Sequence, residues 1–175
     1  MKVVSLLPAA SEILCEMGLS HYLHAVSHEC DYPELIKGIK KVTSSIIPKS
    51  LNQSSIDSLV KKAIENNIPL YEVDNNEIVK INPDLIITQG LCEVCSISEN
   101  LIEATLKNNL CILSSKTKII SLNGTTFDEI CSDIMVIGKA VSKEKKAKKI
   151  IAEAIQKKNK FQKKEQIRVF FFLNG

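Results

Sequence analysis

Two polar stretches of the sequence, residues 27–33 and 88–95, carry the side chains best suited to chemistry. The first reads Ser-His-Glu-Cys-Asp-Tyr-Pro, and the second reads Thr-Gln-Gly-Leu-Cys-Glu-Val-Cys. Together they offer an imidazole, carboxylates, a phenol and three thiols, which are groups that bind metals, recognise polar ligands or undergo thiol redox reactions. Each stretch directly follows a short, largely apolar run, at 23–26 and 84–87.

These apolar runs belong to a longer pattern in which strand-like and helix-like segments alternate. The alternation predicts an α/β protein with a mostly parallel, Rossmann-like sheet and helices on both faces. Capping-box patterns at Ser54, Ser96 and Thr126 mark three helix starts. The predicted strands are 3–7, 23–27, 41–43, 70–73, 84–87, 110–113 and 119–122. The predicted helices are 11–17, 56–64, 75–80, 97–106, 127–141 and 142–163.

In such a sheet the loops that follow the strands open on one edge, and ligands bind in the crevice there. We therefore expect the loops 8–11, 27–33, 43–46 and 88–95 to converge on a ligand cleft. The candidate ligand-binding residues are Pro8, Ser27, His28, Glu29, Cys30, Asp31, Tyr32, Gln89, Gly90, Leu91, Cys92 and Cys95.

Charge is unevenly distributed along the 175 residues. Residues 1–141 have 12 Lys against 17 acidic residues, whereas residues 142–165 have 10 Lys against 3 Glu. The basic segment is either a surface for nucleic acid or membrane, or the solvated face of a helix. Apolar residues recur at helical spacing and aromatic residues are not interleaved, so the solvated face is favoured and no nucleic-acid partner is predicted.

No apolar stretch approaches the ~20 residues of a membrane span, so no span is predicted. The N-terminal run, 3–7, is interpreted as a strand and not as part of a signal peptide, which predicts a cytoplasmic location. No arrangement of nucleophile, base and orienting group is evident, so the sequence predicts a binding protein and not an enzyme.

The six cysteines divide into two groups. Cys15, Cys111 and Cys131 lie among apolar residues and are predicted to be small core side chains. The other three allow two alternatives to ligand binding. One is a zinc site made by His28, Cys30, Cys92 and Cys95, the Cys₃His set of structural zinc. The other is thiol redox chemistry by Cys92 and Cys95.

Several motifs occur in the order found in a known family. They are Val26-Ser27, Asp31-Tyr32-Pro33, the run 83–87 (Pro-Asp-Leu-Ile-Ile), a long helix and then Arg168-Val169-Phe170. In this order they resemble the N-terminal lobe of the helical-backbone class of ABC-importer binding proteins, the Fe/B12 periplasmic-binding-like class. Within it the chain is most similar to cobalamin (vitamin B12)-binding proteins.

The resemblance implies a two-lobed clamp of which this chain holds one jaw. Residues 1–141 would be the N-terminal α/β ligand-binding lobe, 142–166 the long connecting helix, and 167–175 the first strand of an absent second lobe. It implies a corrinoid or similar metal chelate as the ligand, with no firmly bound cofactor. Implied partners are an ABC permease and either a companion second lobe or a second copy of the chain.

Overall fold

The computed structural model describes residues 1–48, 50–66, 68, 70–89 and 116–173, with side chains described as far as residue 161. Within these residues a five-stranded parallel sheet has the order β3-β2-β1-β6-β7. A second sheet pairs β4 with β5 in antiparallel fashion. The strands are β1 (Val3–Ser5), β2 (Leu23–Val26), β3 (Lys40–Lys41), β4 (Thr43–Ser45), β5 (Tyr71–Val73), β6 (Leu85–Gln89) and β7 (Lys118–Leu122). The helices are α1 (Pro8–Glu16), α2 (Gln53–Glu65), α3 (Asn75–Ile81), α4 (Phe127–Ala140) and α5 (Glu144–Leu173).

The two innermost strands, β1 and β6, are buried almost throughout because both faces of the sheet are covered. Alternate residues of β1 and β6 enter different core clusters. Val3 and Ile87 pack in a cluster with residues of α1, α4 and α5. Val4 and Ile86 pack in a second cluster with Ile78 of α3. The predicted α/β class and parallel sheet are confirmed.

Local sequence signals fix several element boundaries. Pro8 occupies the first turn of α1, where its missing N–H costs nothing. Gly18 takes a φ of +65° just beyond the end of α1, a conformation that glycine adopts readily. The predicted capping box at Thr126 is confirmed. The one at Ser54 is wrong, because Asn52 caps α2 by accepting a hydrogen bond from the Ser55 N–H.

The two sheets meet at Val42. Its N–H donates to Val26 O at 3.0 Å, which continues the central sheet, and its carbonyl accepts from Asp74 N at 2.8 Å. The chain then leaves the central sheet, and Thr43–Ser45 pairs with Tyr71–Val73. The predicted strand at 70–73 therefore belongs to a small antiparallel sheet beside the central one.

The long helix α5 packs closely on α4, since an added Cβ at Gly138 would lie 2.5 Å from Ala147 Cβ. Helix α5 also contacts the end of α1, where Lys146 Nζ donates to Met17 O at 2.7 Å. The prediction that a strand begins at 167 is wrong for 167–173, because α5 continues to Leu173. A strand needs a neighbouring strand for its backbone hydrogen bonds, whereas a helix forms them within its own segment. The hydrogen bonds of the helix therefore prevail over the β-propensity of residues 170–172. Residues 174 and 175 lie outside the described part.

None of the described helices combines the length and the apolar character needed to span a membrane.

Candidate functional site

An open cavity of about 720 Å³ lies between the loop that follows β2 and the small antiparallel sheet. Its polar side comes from the end of β2 and from β4, and α2 adds an apolar residue. The lining residues are His28, Glu29, Thr43, Ser44, Ser45, Ile47, Pro48, Ile56 and Tyr71. The cavity therefore lies at the carboxyl end of the parallel strands, the edge at which the sequence predicts a ligand cleft.

His28 is held by Thr43 at two points. Thr43 Oγ1 accepts a hydrogen bond from the His28 backbone N–H at 2.9 Å, and it lies 2.7 Å from His28 Nδ1. The hydroxyl of Thr43 donates to Ser27 Oγ at 3.2 Å. These contacts fix the imidazole at the cavity, although His28 itself remains partly exposed.

Ser27 and Glu29 take different roles in the same loop. Ser27 is 2% exposed, and its Oγ also accepts from Glu29 N at 3.3 Å, so it supports the loop from beneath. Glu29 is exposed and its Oε1 accepts from Tyr71 OH at 3.4 Å. The rings of Tyr71 and His28 have centroids 5.4 Å apart. The loop after β2 and the strand β5 thus share the cavity.

Cys30 does not face the cavity. It is fully buried in the core cluster that contains α1, and its Sγ lies 3.3 Å from Ser11 Oγ. Burial raises the pKa of its thiol, and the hydrogen bond with Ser11 offsets part of that rise. Because a metal binds the thiolate and not the thiol, this environment disfavours Cys30 as a metal ligand.

The predicted pairing of His28 with Cys30 in a zinc site therefore lacks support. The two side chains go to different partners, His28 to Thr43 and Cys30 to Ser11. Among the described residues no group of three or more His, Cys, Asp or Glu side chains is arranged to hold a metal ion. Cys92 and Cys95, which complete the zinc set and form the redox alternative, lie outside the described residues.

The other predicted site residues that the structure describes do not line this cavity. Asp31 and Tyr32 are exposed, Tyr32 by 65%, and Pro8 starts α1 at the end of β1. Gln89 ends β6, on the same edge of the sheet but beyond β1. Gly90 and Leu91 lie outside the described residues, as do the predicted strand 110–113 and helix 97–106.

The loop 43–46 belongs to the predicted cleft, but none of its residues is among the predicted site residues, although Thr43 contributes most to holding His28. A threonine at the end of the predicted strand 41–43 was the available signal. No signal in the sequence marks Tyr71 as a site residue, because the sequence predicts Tyr71 only as part of a strand. It reaches the cavity because β5 pairs with β4 in an antiparallel sheet.

No protein-family model matches the sequence, and no curated protein sequence is significantly similar to it. Solved structures do share its fold. The periplasmic vitamin B12-binding protein BtuF of Vibrio cholerae matches with a TM-score of 0.62 at 20% identity, over 93% of this chain and 50% of its own. The periplasmic heme-binding protein HutB of Vibrio cholerae matches with a TM-score of 0.63 at 17% identity, over 94% and 50%.

A possible iron-binding, periplasmic solute-binding protein from Staphylococcus epidermidis matches with a TM-score of 0.59 at 23% identity, over 89% of this chain and 47% of its own. The chain thus has the fold of the N-terminal half of proteins in the Fe/B12 periplasmic-binding-like class, as the sequence predicts. It spans about half the length of these structures. All three are named as binding proteins.

The predicted cytoplasmic location is wrong. It depended on interpreting the N-terminal apolar run as a strand, and Val3–Ser5 is a strand. A strand there does not decide the compartment, however, and the solved structures that share the fold are named as periplasmic proteins. The comparison with these structures therefore overturns the location predicted from the N-terminal residues.

Proposed function

We propose that this chain is the ligand-binding lobe of an extracytoplasmic solute-binding protein, and that its ligand is a corrinoid. The observation that carries the proposal is the cavity at the carboxyl edge of the sheet, with His28 fixed at its surface by Thr43. The likeness of the fold to binding proteins for vitamin B12, heme and iron supports the wider class of metal-chelate ligands.

The cavity suits a large ligand with both an apolar face and a polar edge. Its volume, about 720 Å³, lies within the range common for ligand pockets. Ile47, Pro48 and Ile56 supply apolar surface, and the polar groups come from the loop after β2 and from β4. A tetrapyrrole-like ring offers the matching combination of a broad conjugated face and polar substituents around its rim.

Charge favours a corrinoid over heme. Among the lining residues that the structure describes, Glu29 has the one carboxyl group, and none of them is Lys or Arg. Heme carries carboxylates at its rim, which a glutamate repels and which need cationic partners. A corrin ring carries neutral amides, whose N–H groups donate to a carboxylate and whose carbonyls accept from hydroxyl groups.

The length of the chain relative to the solved structures bears on its partners. Since those structures are about twice as long, we propose that the ligand is enclosed by a second lobe, which either continues this chain or belongs to a companion protein or a second copy. One matching structure is named as an ABC transporter substrate-binding protein from Listeria monocytogenes. This name supports an ABC permease as the further partner.

Calorimetric titration of the purified chain tests the proposed ligand. Cyanocobalamin and ferric hemin are titrated separately under identical conditions, and apparent affinities are compared. We expect saturable heat with cyanocobalamin and weaker binding of hemin. The reverse preference would replace the corrinoid with heme. An absence of binding of both ligands, seen in the titration and again by equilibrium dialysis, would overturn the proposal.

A further inference from the structure

We infer that His28 binds the metal of the ligand through Nε2, and that Thr43 is the residue that positions it for this role. The inference rests on the proposed function, since it specifies how the same cavity recognises a metal chelate. It predicts that the cavity prefers chelates that keep an axial coordination position open or exchangeable.

The hydrogen bonds of Thr43 favour one tautomer of the His28 imidazole. A threonine hydroxyl has one proton to donate and two lone pairs with which to accept. Thr43 Oγ1 donates its proton to Ser27 Oγ and accepts from the backbone N–H of His28. With these two bonds assigned in this way, the remaining contact, at 2.7 Å to His28 Nδ1, is one in which Nδ1–H donates, and this is the tautomer that we infer.

A neutral imidazole protonated at Nδ1 has its lone pair on Nε2. Within the described residues Nε2 has no hydrogen-bond partner, and His28 lines the cavity. In metal-binding histidines generally, the ring nitrogen that does not bind the metal makes a hydrogen bond, which orients the ring and fixes its tautomer. Thr43 supplies that bond before any ligand is present.

The neighbours of His28 support this geometry. The ring of Tyr71, tilted by 46° with its centroid 5.4 Å away, limits rotation of the imidazole. The adjacent thiol of Cys30 is turned into the core, so it does not compete for the metal. The loop therefore presents a nitrogen and not a sulfur to the cavity.

The proposed step is a ligand exchange without electron transfer. On a cobalt(III) corrinoid with axial water, the cobalt–oxygen bond breaks, water leaves, and a bond forms between cobalt and Nε2. Imidazole is a suitable ligand for such a metal. Cyanocobalamin, whose axial cyanide is held tightly, would fill the cavity without forming this bond.

Absorption spectra test the inference. The purified chain is mixed with aquocobalamin and, separately, with cyanocobalamin, and affinities are measured by titration. We expect the visible bands of aquocobalamin to shift on binding, those of cyanocobalamin to stay unchanged, and aquocobalamin to bind more tightly. In His28→Ala the shift should be lost and the ratio of the two affinities should fall towards one.

Thr43 variants separate positioning from a purely structural role. Thr43→Val removes the hydroxyl and should reduce the preference for aquocobalamin roughly 10- to 100-fold, the usual effect of losing the partner of a metal-binding histidine. Thr43→Ser keeps the hydroxyl and should restore most of it. His24→Ala is the matched histidine control, because His24 is exposed and is bonded through Nδ1 to Tyr22 O at 2.9 Å.

The outcomes separate the inference from the proposed function. If cyanocobalamin binds but aquocobalamin shows no shift, or if the shift persists in His28→Ala, the inference is wrong and the proposed function stands. If neither corrinoid binds, both fail. A shift lost in His28→Ala and retained in His24→Ala supports the inference.

Discussion

Thr43 Oγ1 lies 2.7 Å from His28 Nδ1 and 2.9 Å from the His28 backbone nitrogen, so one hydroxyl fixes both the ring and the main chain of this residue. The contact joins the loop that follows a central strand to the first residue of the small sheet. It therefore couples the two elements that border the cavity. The position of the imidazole depends on both sheets being folded.

Reversing the charge of Glu29 should change which ligand the cavity prefers. In Glu29→Lys, affinity for hemin relative to cyanocobalamin should rise by roughly 5- to 10-fold, the size expected for exposed charges at the rim of a cavity. The change is measured by parallel titrations. Glu65→Lys is the matched control, since Glu65 is exposed at the end of α2 and does not line the cavity. An equal effect in both variants would contradict a specific role for Glu29.

The thiol of Cys30 should be slow to react. It is fully buried and burial raises its pKa, whereas Cys131 is partly exposed. On treatment of the native protein with iodoacetamide at neutral pH, we expect Cys131 to be alkylated well before Cys30. Peptide mapping by mass spectrometry measures both rates in one sample. Rapid alkylation of Cys30 that zinc suppresses would revive the metal-site alternative.

Gly138 should be intolerant of a larger side chain. A Cβ there would lie 2.5 Å from Ala147 Cβ, so α4 and α5 would have to separate. We expect Gly138→Ala to lower the free energy of unfolding by about 1–2 kcal/mol, because overpacking outweighs the better helix propensity of alanine. Urea denaturation measures this.

Two further variants control for that interpretation. Gly38→Ala, at a position where an added Cβ meets nothing within 4 Å, should change stability by about 0.5 kcal/mol or less. Adding Ala147→Gly to Gly138→Ala should recover part of the loss. A Gly138→Ala protein as stable as the wild type would show that the two helices do not pack this closely.

Glu129 should make stability depend on pH in acid. Hydrogen bonds from the backbone and hydroxyl of Thr125 and from the backbone of Thr126 lower the pKa of Glu129 from 4.5 to about 2. A carboxyl whose pKa is lower in the folded state stabilises the fold above its unfolded pKa, and the contribution is lost as pH falls from about 4.5 towards 2. Glu129→Gln should therefore flatten the decline in melting temperature over that range.

The control for Glu129 is Asp128→Asn in the same helical turn. The Asp128 carboxylate makes no hydrogen bond with the described residues, so its removal should leave most of the acid dependence intact. Identical pH profiles for Glu129→Gln and the wild-type protein would show that the capping box does not form in solution.

The sequence predicted the layout of the site better than its individual side chains. Continuous apolar strands and alternating helices fix the parallel sheet, and with it the edge at which the loop after β2 opens. Whether a loop side chain turns inward is decided by tertiary contacts. His28 and Cys30 are two residues apart in one polar stretch, yet Thr43 holds the first at the cavity and Ser11 holds the second in the core.

The small sheet and the end of the chain escaped prediction for related reasons. Antiparallel pairing of β4 with β5 depends on the chain leaving the central sheet after Val42, and no local pattern marks that departure. The segment 167–173 has strong β-propensity, but propensity alone does not make a strand without a neighbouring strand. In both segments the secondary structure depends on whether a strand partner is available, which the local sequence does not reveal.

Filling the cavity is the most direct test of where the ligand binds. Ile56→Trp places a large side chain among the lining residues, whereas Ile64→Trp puts the same side chain on an exposed part of the same helix, where Ile64 is 49% exposed. Binding of cyanocobalamin is measured by equilibrium dialysis against the wild-type protein, the two variants having first been shown to melt at similar temperatures. We predict that Ile56→Trp abolishes binding and Ile64→Trp preserves it; full binding by Ile56→Trp would contradict the assignment of this cavity as the corrinoid site.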